Sequence, residues 1–248
     1  GFMTGVLSGT QALAASRYVV VGKSPLTGTW GDANSGGDFG PNLKFSGFDA
    51  VFFTGISPKP VYLLIDSGKA EIRDASHLWG KDSWDTEDMI RAELGEDTEV
   101  ACIGPSGEKL ALIAAVINNK GRAAARSGLG ALMGSKRLKA VAVRGKLKVP
   151  VFDEARIAEL RKATIPQLGG PVGIFRSIGT PGILVPSAQS GDAPVKNWGG
   201  AQAVDFPEVE KIGGNVLIER QEKRYGCYRC VVGCGGELKA GTGEFQYP

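Results

Sequence analysis

Three cysteines near the end of the chain have the spacing that is most informative about chemistry. Cys227, Cys230 and Cys234 follow the pattern C-x2-C-x3-C, so three of the four cysteines fall within eight residues. Thiolates grouped this closely are typical ligands of iron–sulfur clusters and of zinc. Four glycines lie in the same stretch: Gly226, Gly233, Gly235 and Gly236. Because glycine lets a backbone wrap closely around a bulky group, this segment predicts a metal centre.

The choice between iron–sulfur and zinc depends on the other ligands that the sequence offers. A structural zinc site usually takes a second Cys or His pair from nearby, but the single histidine, His77, lies far upstream. A cubane cluster needs four thiolates and can take the fourth from elsewhere in a chain. Cys102, between Ala101 and Ile103, is interpreted as a small buried apolar residue rather than that fourth ligand. A [4Fe–4S] cluster is favoured, while zinc, a disulfide or inert thiols remain open.

The composition is that of an ordinary globular protein. The 248 residues are 42% hydrophobic and 22% charged, and the formal net charge is +3. This charge is too small, and Lys and Arg are too scattered, to predict a nucleic-acid-binding surface. No apolar run reaches the about 18 residues that a membrane span needs. We therefore expect neither nucleic acid nor a membrane as a partner.

A segment near the start of the chain partly resembles a targeting signal. Residues 12–16 read A-L-A-A-S and resemble a signal-peptidase site, but no basic segment precedes them and glycines interrupt the apolar run. No signal peptide is expected, and a cluster of free thiols predicts a reducing, cytoplasmic compartment. The chain begins at Gly1 and stops at Pro248 soon after the cysteines. Both termini are predicted to be cuts within a longer protein.

Hydrophobic patterning predicts an α+β fold in two parts. β-branched and apolar runs predict strands at residues 17–23, 48–55, 60–66, 71–73, 99–104, 110–118 and 140–144, with 48–55 and 60–66 forming a hairpin. Acidic first turns followed by apolar residues at helical spacing predict helices at 85–94 and 153–168. The character changes at Val149-Pro150. We predict a β-rich domain over residues 1–149 and a partial helical and loop-rich domain over 150–248 that carries the cysteines.

Two segments lack a regular pattern, and each allows two interpretations. Residues 27–40 hold five glycines, and residues 118–130 place Arg122 and Arg126 beside small residues. The first is either a surface loop or backbone held against something large. The second carries either surface charge or an anion site, because guanidinium groups match phosphate oxygens bidentately. The residues alone leave both questions open.

Several long segments resemble, in the same order, those of the tungsten-containing aldehyde:ferredoxin oxidoreductases. They are residues 17–28 (RYVVVGKSPLTG), 34–40 (NSGGDFG), 43–49 (LKFSGFD), 71–81 (EIRDASHLWGK), 103–108 (IGPSGE) and 130–140 (GALMGSKRLKA). The cysteine run also looks like the pattern of this family. Because the matches extend over nearly the whole chain, the resemblance is far more specific than a lone C-x2-C.

The resemblance implies a fold and a place for the cysteines. In this family an N-terminal domain of antiparallel sheets forms a base beneath a bis-pterin tungsten cofactor, and helical domains close over it. By family match, Arg17 is the arginine that lies between the cluster and a pterin and can hydrogen-bond to both. Cys227, Cys230 and Cys234 correspond to three ligands of a [4Fe–4S] cluster, with the fourth cysteine further along.

The resemblance also assigns the two irregular segments to the cofactor. Asn34 and Ala123 match positions whose backbone carbonyls hold a Mg2+ ion that bridges the phosphates of the two pterins. Gly36, Arg122 and Ala125 match neighbouring positions on the same cofactor-facing loops. Glycine then serves close approach to the cofactor, and a hard cation with arginine offsets the phosphate charge.

The chain departs from the family pattern in one of these loops. The family usually has R-A-A-G-R-G-G, whereas residues 122–128 read R-A-A-A-R-S-G, with Ala125 and Ser127 at two glycine positions. If either glycine is needed at positive φ or for close approach, the loop must shift. The residues for proton transfer lie further along in the family, so no catalytic residue is predicted here.

The function implied by the resemblance is oxidation of a small aldehyde to a carboxylic acid at a tungsten, less readily molybdenum, bis-pterin centre. Electrons would pass through the [4Fe–4S] cluster to ferredoxin or a similar carrier, and the full-length protein could form a homodimer. One alternative is the tungsten subunit of a benzoyl-CoA-type ring reductase. Others are a non-catalytic iron–sulfur electron-transfer module and a zinc-stabilised binding domain.

Overall fold

The computed structural model describes residues 1–239 and 241. The chain divides into two compact units. Unit 1 consists of Gly1–Ala158 with Cys227–Arg229, and unit 2 consists of Glu159–Gly226 with the described residues from Cys230 onward. The domain boundary at residues 149 and 150 stays a prediction.

Unit 1 contains two β-sheets. The first has the strand order β3-β2-β1-β4, and its strands are β1 (Phe2–Thr4), β2 (Tyr18–Lys23), β3 (Trp30–Ser35) and β4 (Ala50–Val51). The second has the order β6-β5-β10-β7-β8-β9, and its strands are β5 (Val61–Asp66), β6 (Lys69–Asp74), β7 (Glu99–Cys102), β8 (Val116–Asn118), β9 (Arg122–Ala124) and β10 (Leu138–Arg144). Neighbouring strands are antiparallel except β5 and β10, which are parallel, so the second sheet is mixed.

Helices accompany these sheets and confirm the α+β class. They are α1 (Phe39–Phe45), α2 (Ser83–Leu94), α3 (Pro105–Glu108) and α4 (Leu129–Ser135), while α5 (Glu154–Thr164) crosses the division between the units. The sequence specifies α2 closely: an Asp82 carboxylate oxygen accepts a hydrogen bond from the Asp85 amide at 2.8 Å, and Gly95 ends the helix at a φ of 118°.

Strand β5 shows how the second sheet is buried on both faces. Leu63 and Ile65 join an apolar cluster with residues of the first sheet, whereas Tyr62 and Leu64 join a second cluster with Ile90 of α2. Side chains alternate between faces along a strand, so one apolar run supplies both clusters. Unit 1 is therefore a layered core.

Four predictions about local structure were wrong. The strand predicted over residues 110–118 is limited to β8, Val116–Asn118. Residues 48–55 and 60–66 do not form a hairpin, because β4 pairs with β1 and β5 pairs with β6 and β10. Residues 27–40 include strand β3 and the start of α1, and residues 118–130 include β9. Strand β3 has the sequence W-G-D-A-N-S, in which only Trp30 favours a strand; pairing with β2 over its whole length holds it extended.

Unit 2 is built from short elements. They are α6 (Pro171–Ser177), α7 (Leu184–Gln189), α8 (Gln202–Asp205), α9 (Gly214–Glu219), β11 (Gln221–Tyr225) and β12 (Gly235–Leu238). Strands β11 and β12 form an antiparallel hairpin in which Tyr225 is opposite Gly235. In the described part of the chain, no helix has the length and apolar character of a membrane span.

Candidate cofactor-binding site

Two edges of unit 1 carry the residues that the sequence assigned to a cofactor. Arg17 directly precedes β2 and is exposed, Asn34 is exposed on β3 opposite Val19, and Gly36 is buried just after β3. On the second edge, the half-buried Arg122 and the exposed Ala123 lie on β9, and the exposed Ala125 follows it. Strand β9 contacts β3, so the strands that carry Asn34 and Ala123 are neighbours.

Gly36 lies directly against the first cysteine of the run. A β-carbon built on Gly36 would lie 2.6 Å from the Sγ atom of Cys227 and 3.7 Å from a guanidinium nitrogen of Arg17. Only a residue without a side chain leaves room for this thiol. The structure therefore brings Arg17, Gly36 and Cys227 together at one point.

The backbone around Cys227 is attached to the same loop by Tyr228. The Tyr228 amide donates a hydrogen bond to the Gly37 carbonyl at 3.3 Å, and its ring packs edge-on against Phe45 with centroids 5.7 Å apart. Because these contacts hold Tyr228 in place, the thiol of the preceding Cys227 lies beside the end of β3.

Two asparagines that the sequence did not single out join the cofactor loops. Asn118 is fully buried, and its side chain donates to the Gly36 carbonyl at 3.0 Å and accepts from the hydroxyls of Tyr18 and Ser35, each at 2.9 Å. The Oδ1 atom of Asn119 accepts a hydrogen bond from the Asp38 amide at 2.9 Å. The tandem Asn at the end of a predicted strand is the only sequence signal that could have pointed to them.

Two carboxyl groups near the β8–β9 hairpin, those of Glu99 and Asp38, have a raised pKa. Burial raises the pKa of Glu99 to about 7, and the nearby carboxylates of Asp38 and Glu87 add to the rise, while a hydrogen bond from Asn119 opposes it. Burial also raises the pKa of Asp38, and the Arg122 guanidinium opposes that shift. The Arg122 charge thus acts on the loop that follows β3.

The loop after β9 holds the departure from the family pattern. Ser127 has a φ of 69°, in the left-handed region that favours glycine, whereas Ala125 has an ordinary φ of −97°. The Ser127 hydroxyl donates to the Asp32 carbonyl at 3.3 Å, and its own carbonyl accepts from the Ser24 hydroxyl at 2.9 Å. A serine therefore adopts a conformation that favours glycine, at a position where the family pattern predicts glycine.

The other two cysteines belong to unit 2. Cys230 and Cys234 are half-buried and precede β12. The Gly226 and Gly233 backbones approach closely, since a β-carbon on Gly226 would lie 3.1 Å from the Gly233 α-carbon. Arg224 on β11 donates to the Gly233 carbonyl at 3.0 Å, which attaches this turn to the hairpin.

The thiols are the donor set for the predicted cluster. All four cysteines are free thiols, and Cys102 is buried in the core of unit 1, where burial raises the pKa of its thiol to about 12. This confirms that Cys102 packs as a buried apolar residue. Among residues 1–239 and 241, no three Cys, His, Asp or Glu side chains are grouped closely enough to hold a metal ion. The structure therefore does not gather Cys227, Cys230 and Cys234 into one ligand set. Their chemical type, free thiols among glycines with one of them beside a guanidinium, is that of iron–sulfur ligands.

Comparisons with known proteins identify the family of the chain. Residues 1–145 match the family description "Aldehyde ferredoxin oxidoreductase, N-terminal domain", and residues 158–248 match "Aldehyde ferredoxin oxidoreductase, domains 2 & 3". The chain is 43% identical, over 98% of its length, to the tungsten-containing aldehyde ferredoxin oxidoreductase of Pyrococcus furiosus, and 43% identical, over 96%, to that of Thermococcus kodakarensis. It spans 41% and 40% of the lengths of these two relatives.

A solved structure is also similar. The active site complex BamBC of benzoyl coenzyme A reductase, in complex with 1,5-dienoyl-CoA, matches with a TM-score of 0.78 and 30% sequence identity, covering 96% of this chain and 38% of that one. With both family descriptions matched along almost the entire sequence, the chain belongs to the aldehyde ferredoxin oxidoreductase family.

Proposed function

We propose that this chain provides the first part of a tungsten bis-pterin enzyme that oxidises an aldehyde to a carboxylic acid and passes electrons through a [4Fe–4S] cluster to ferredoxin. The contact of Gly36 with Cys227 and Arg17 carries the proposal. It joins, at one point of unit 1, a cluster-type thiol, a cation and a backbone segment of the kind that approaches a cofactor closely.

The three cysteines and Arg17 would have separate roles at the cluster. Cys227, Cys230 and Cys234 would ligate the cluster as thiolates. Arg17, which is exposed beside Cys227, can donate hydrogen bonds both toward the cluster and toward a pterin, and so would orient one against the other.

The phosphate side of the cofactor would lie at the two neighbouring strands. The backbone carbonyls of Asn34 and Ala123 would hold Mg2+ between the pterin phosphates, since a hard cation prefers oxygen ligands. Gly36 would let the backbone approach, Ala125 would face the cofactor from the loop after β9, and Arg122 would offset phosphate charge. Both Asn34 and Ala123 are exposed, so their strands remain accessible to a ligand.

The reaction consumes one water and yields a carboxylic acid, two protons and two electrons, and the bound tungsten centre supplies the acceptor for that electron pair. This chain holds and orients the group; the proton-transfer residues are not assigned to it. Ferredoxin as the electron carrier, a homodimer and a cytoplasmic location remain predictions.

A second candidate is reduction of an aromatic ring, as in the benzoyl coenzyme A reductase complex that the chain resembles in structure. The 43% identity to aldehyde oxidoreductases against 30% to that complex favours aldehyde oxidation. A relative described as an aliphatic sulfonate oxidoreductase, WOR-like subunit, from Pyrococcus furiosus is likewise 30% identical.

The test uses the full-length protein, purified without oxygen from cells supplied with tungstate. We expect tungsten, two pterins and about four iron atoms per chain, with reduction of ferredoxin that depends on an added aldehyde. Dienoyl-CoA-dependent electron transfer without aldehyde activity would favour the ring reductase. Iron and sulfide without tungsten would indicate an electron-transfer module, and one zinc per chain without visible absorption would indicate a zinc-stabilised domain.

A further inference from the structure

The turn between β8 and β9 is more elaborate than a hairpin turn requires. Asn118 ends β8, and the turn continues through Asn119 and Lys120, which have φ values of 45° and 60°. Asparagine tolerates this left-handed region, but lysine adopts it only where its surroundings compensate. Here the Lys120 amide donates to a Glu87 carboxylate oxygen at 3.0 Å. The turn is therefore fixed in one conformation.

Asn118 uses the whole hydrogen-bonding capacity of its side chain. Its oxygen accepts from Tyr18 and Ser35, and its nitrogen donates to the Gly36 carbonyl and to the Asn119 oxygen at 2.9 Å. A buried amide with every bond made has a single orientation. Asn118 thus sets the position of the Gly36 carbonyl relative to β8.

Asn119 continues the same network along the loop. Its oxygen accepts from the Asp38 amide, and its nitrogen donates to a Glu99 carboxylate oxygen at 2.7 Å. Between the two amides lies Gly37, where an added β-carbon would be 2.2 Å from the Asn119 oxygen and 2.7 Å from the Asn118 nitrogen. Its φ of 90° excludes a side chain as well. The loop after β3 therefore fits directly against the two amides.

The turn leads within three residues to the second cofactor-facing segment. Strand β9 begins at Arg122, and Asn118 and Arg122 are opposite each other in the hairpin. One rigid element therefore touches the loop at residues 36–38 and carries Arg122 and Ala123. A shift of this hairpin would therefore move Arg122 and Ala123 relative to the loop at residues 36–38.

We propose that Asn118 and Asn119 are positioning residues that set the separation of the two backbone segments on the phosphate side of the cofactor, with Glu99 as their anchor. This inference rests on the proposed function, because it needs a ligand that spans both segments. The two asparagines do not bond Asn34 or Ala123 directly; they hold the loop at residues 36–38, just after Asn34, against the hairpin that carries Ala123. Because outer partners of metal ligands typically contribute about 10- to 100-fold to metal affinity, an effect at the lower end of that range is expected.

The experiment compares variants of the full-length, tungsten-loaded protein at pH 8.5, where Glu99 is ionised. Asn119→Asp places a carboxylate against that of Glu99 and should weaken the retention of Mg2+ and pterin by about 10-fold. Asn119→Asp with Glu99→Gln exchanges donor and acceptor at unchanged net charge, so retention should return to near the wild-type value. Metal analysis and pterin content after dialysis against a chelator give the readout, together with the cluster's electron paramagnetic resonance spectrum.

Lys120→Ala is the matched control. It removes the ammonium contacts of the same turn with the Trp84 carbonyl and the Asp88 carboxylate but leaves every Asn118 and Asn119 hydrogen bond. We expect it to lower the unfolding temperature without loss of Mg2+ or pterin.

Three outcomes would overturn the inference. Equal retention in Asn119→Asp and wild type, or failure of the double variant to restore retention, would show that the network only stabilises the fold. A wild-type protein that holds cluster but no pterin would overturn the proposed function and this inference with it.

Discussion

Units 1 and 2 hold their parts of the candidate site in different ways. In unit 1 the residues around Cys227 are fixed by a layered core and by buried amides such as Asn118. In unit 2 the buried apolar side chains, among the residues described, are Ala188 and Val209, and the turn with Cys230 and Cys234 is attached through exposed hydrogen bonds. The first arrangement is preorganised, whereas the second is expected to gain order when its thiolates bind a metal.

The largest expected effect tests the core of unit 1. The Lys139 ammonium is fully buried, lies 2.5 Å from a Glu108 carboxylate oxygen, and donates to the Lys81 carbonyl at 2.7 Å. Lys139→Met would leave the Glu108 carboxylate buried without its cation and should lower the free energy of unfolding by about 3–5 kcal/mol. Urea unfolding measures the change. Lys59→Met breaks the exposed pair with Asp74 and should change the free energy of unfolding far less, because solvent screens an exposed pair. Equal losses in the two variants would contradict this difference.

The next prediction tests the contact at Cys227. Gly36→Ala places a methyl group 2.6 Å from the Cys227 sulfur, so the thiol must move. We expect a destabilisation of about 2 kcal/mol from overpacking and loss of iron and of visible absorption in the full-length protein. Gly5→Ala is the control, because its nearest contact would be an ordinary 3.6 Å to the Ser8 hydroxyl. Unchanged iron content in Gly36→Ala would show that Cys227 is not a ligand at this place.

The buried carboxyl group of Glu99 predicts that the free energy of unfolding depends on pH. Burial raises the pKa of Glu99 to about 7 from an ordinary 4.5, so the folded protein binds more protons than the unfolded chain between these values. The stability contributed by this group therefore falls as the pH rises from about 4.5 to about 7 and is level above. Glu99→Gln should remove that slope.

The test of this slope is a comparison of urea unfolding at pH 5 and pH 8. The stability of Glu99→Gln relative to wild type should rise by about 2 kcal/mol between them. Glu71→Gln, at an exposed position, should leave the wild-type profile unchanged. Parallel profiles of Glu99→Gln and wild type would contradict the assignment.

A smaller effect is expected in unit 2. The Arg224 guanidinium donates to the carbonyls of Ser177 at 3.1 Å and Gly233 at 3.0 Å, which joins the end of α6 to the cysteine turn. Arg224→Met should destabilise that turn by about 1 kcal/mol, because these bonds are exposed. Hydrogen exchange of residues 226–236 should accelerate accordingly, while Lys223→Met on the same strand should not change it. Unaltered exchange would show that the turn is held in another way.

The sequence predicted those parts of the fold that depend on local patterns. The V-V-V run of β2 and the capped helix α2 are examples, and Cys102 was correctly placed in a core. Strand β3 was missed because its extended conformation depends on a partner strand. The Asn118 network was missed because it joins residues 82 and 100 positions apart, which no periodicity reveals. The site residues came from family resemblance, and their roles remain predictions.

The smallest effect concerns Ser127, one of the two positions in unit 1 that depart from the family pattern. Ser127 holds a φ of 69°, and a residue with a β-carbon in this region costs about 1–2 kcal/mol relative to its usual conformations. Ser127→Gly should raise the unfolding free energy by about 0.5 kcal/mol, since the relief exceeds the added entropy of the unfolded chain and the lost 3.3 Å hydrogen bond to Asp32. Ser135→Gly, at a helical position, should lower it by a similar amount. If Ser127→Gly is also less stable, the hydrogen bond of the serine to Asp32 outweighs the strain, and the loop has adapted to serine rather than tolerating it.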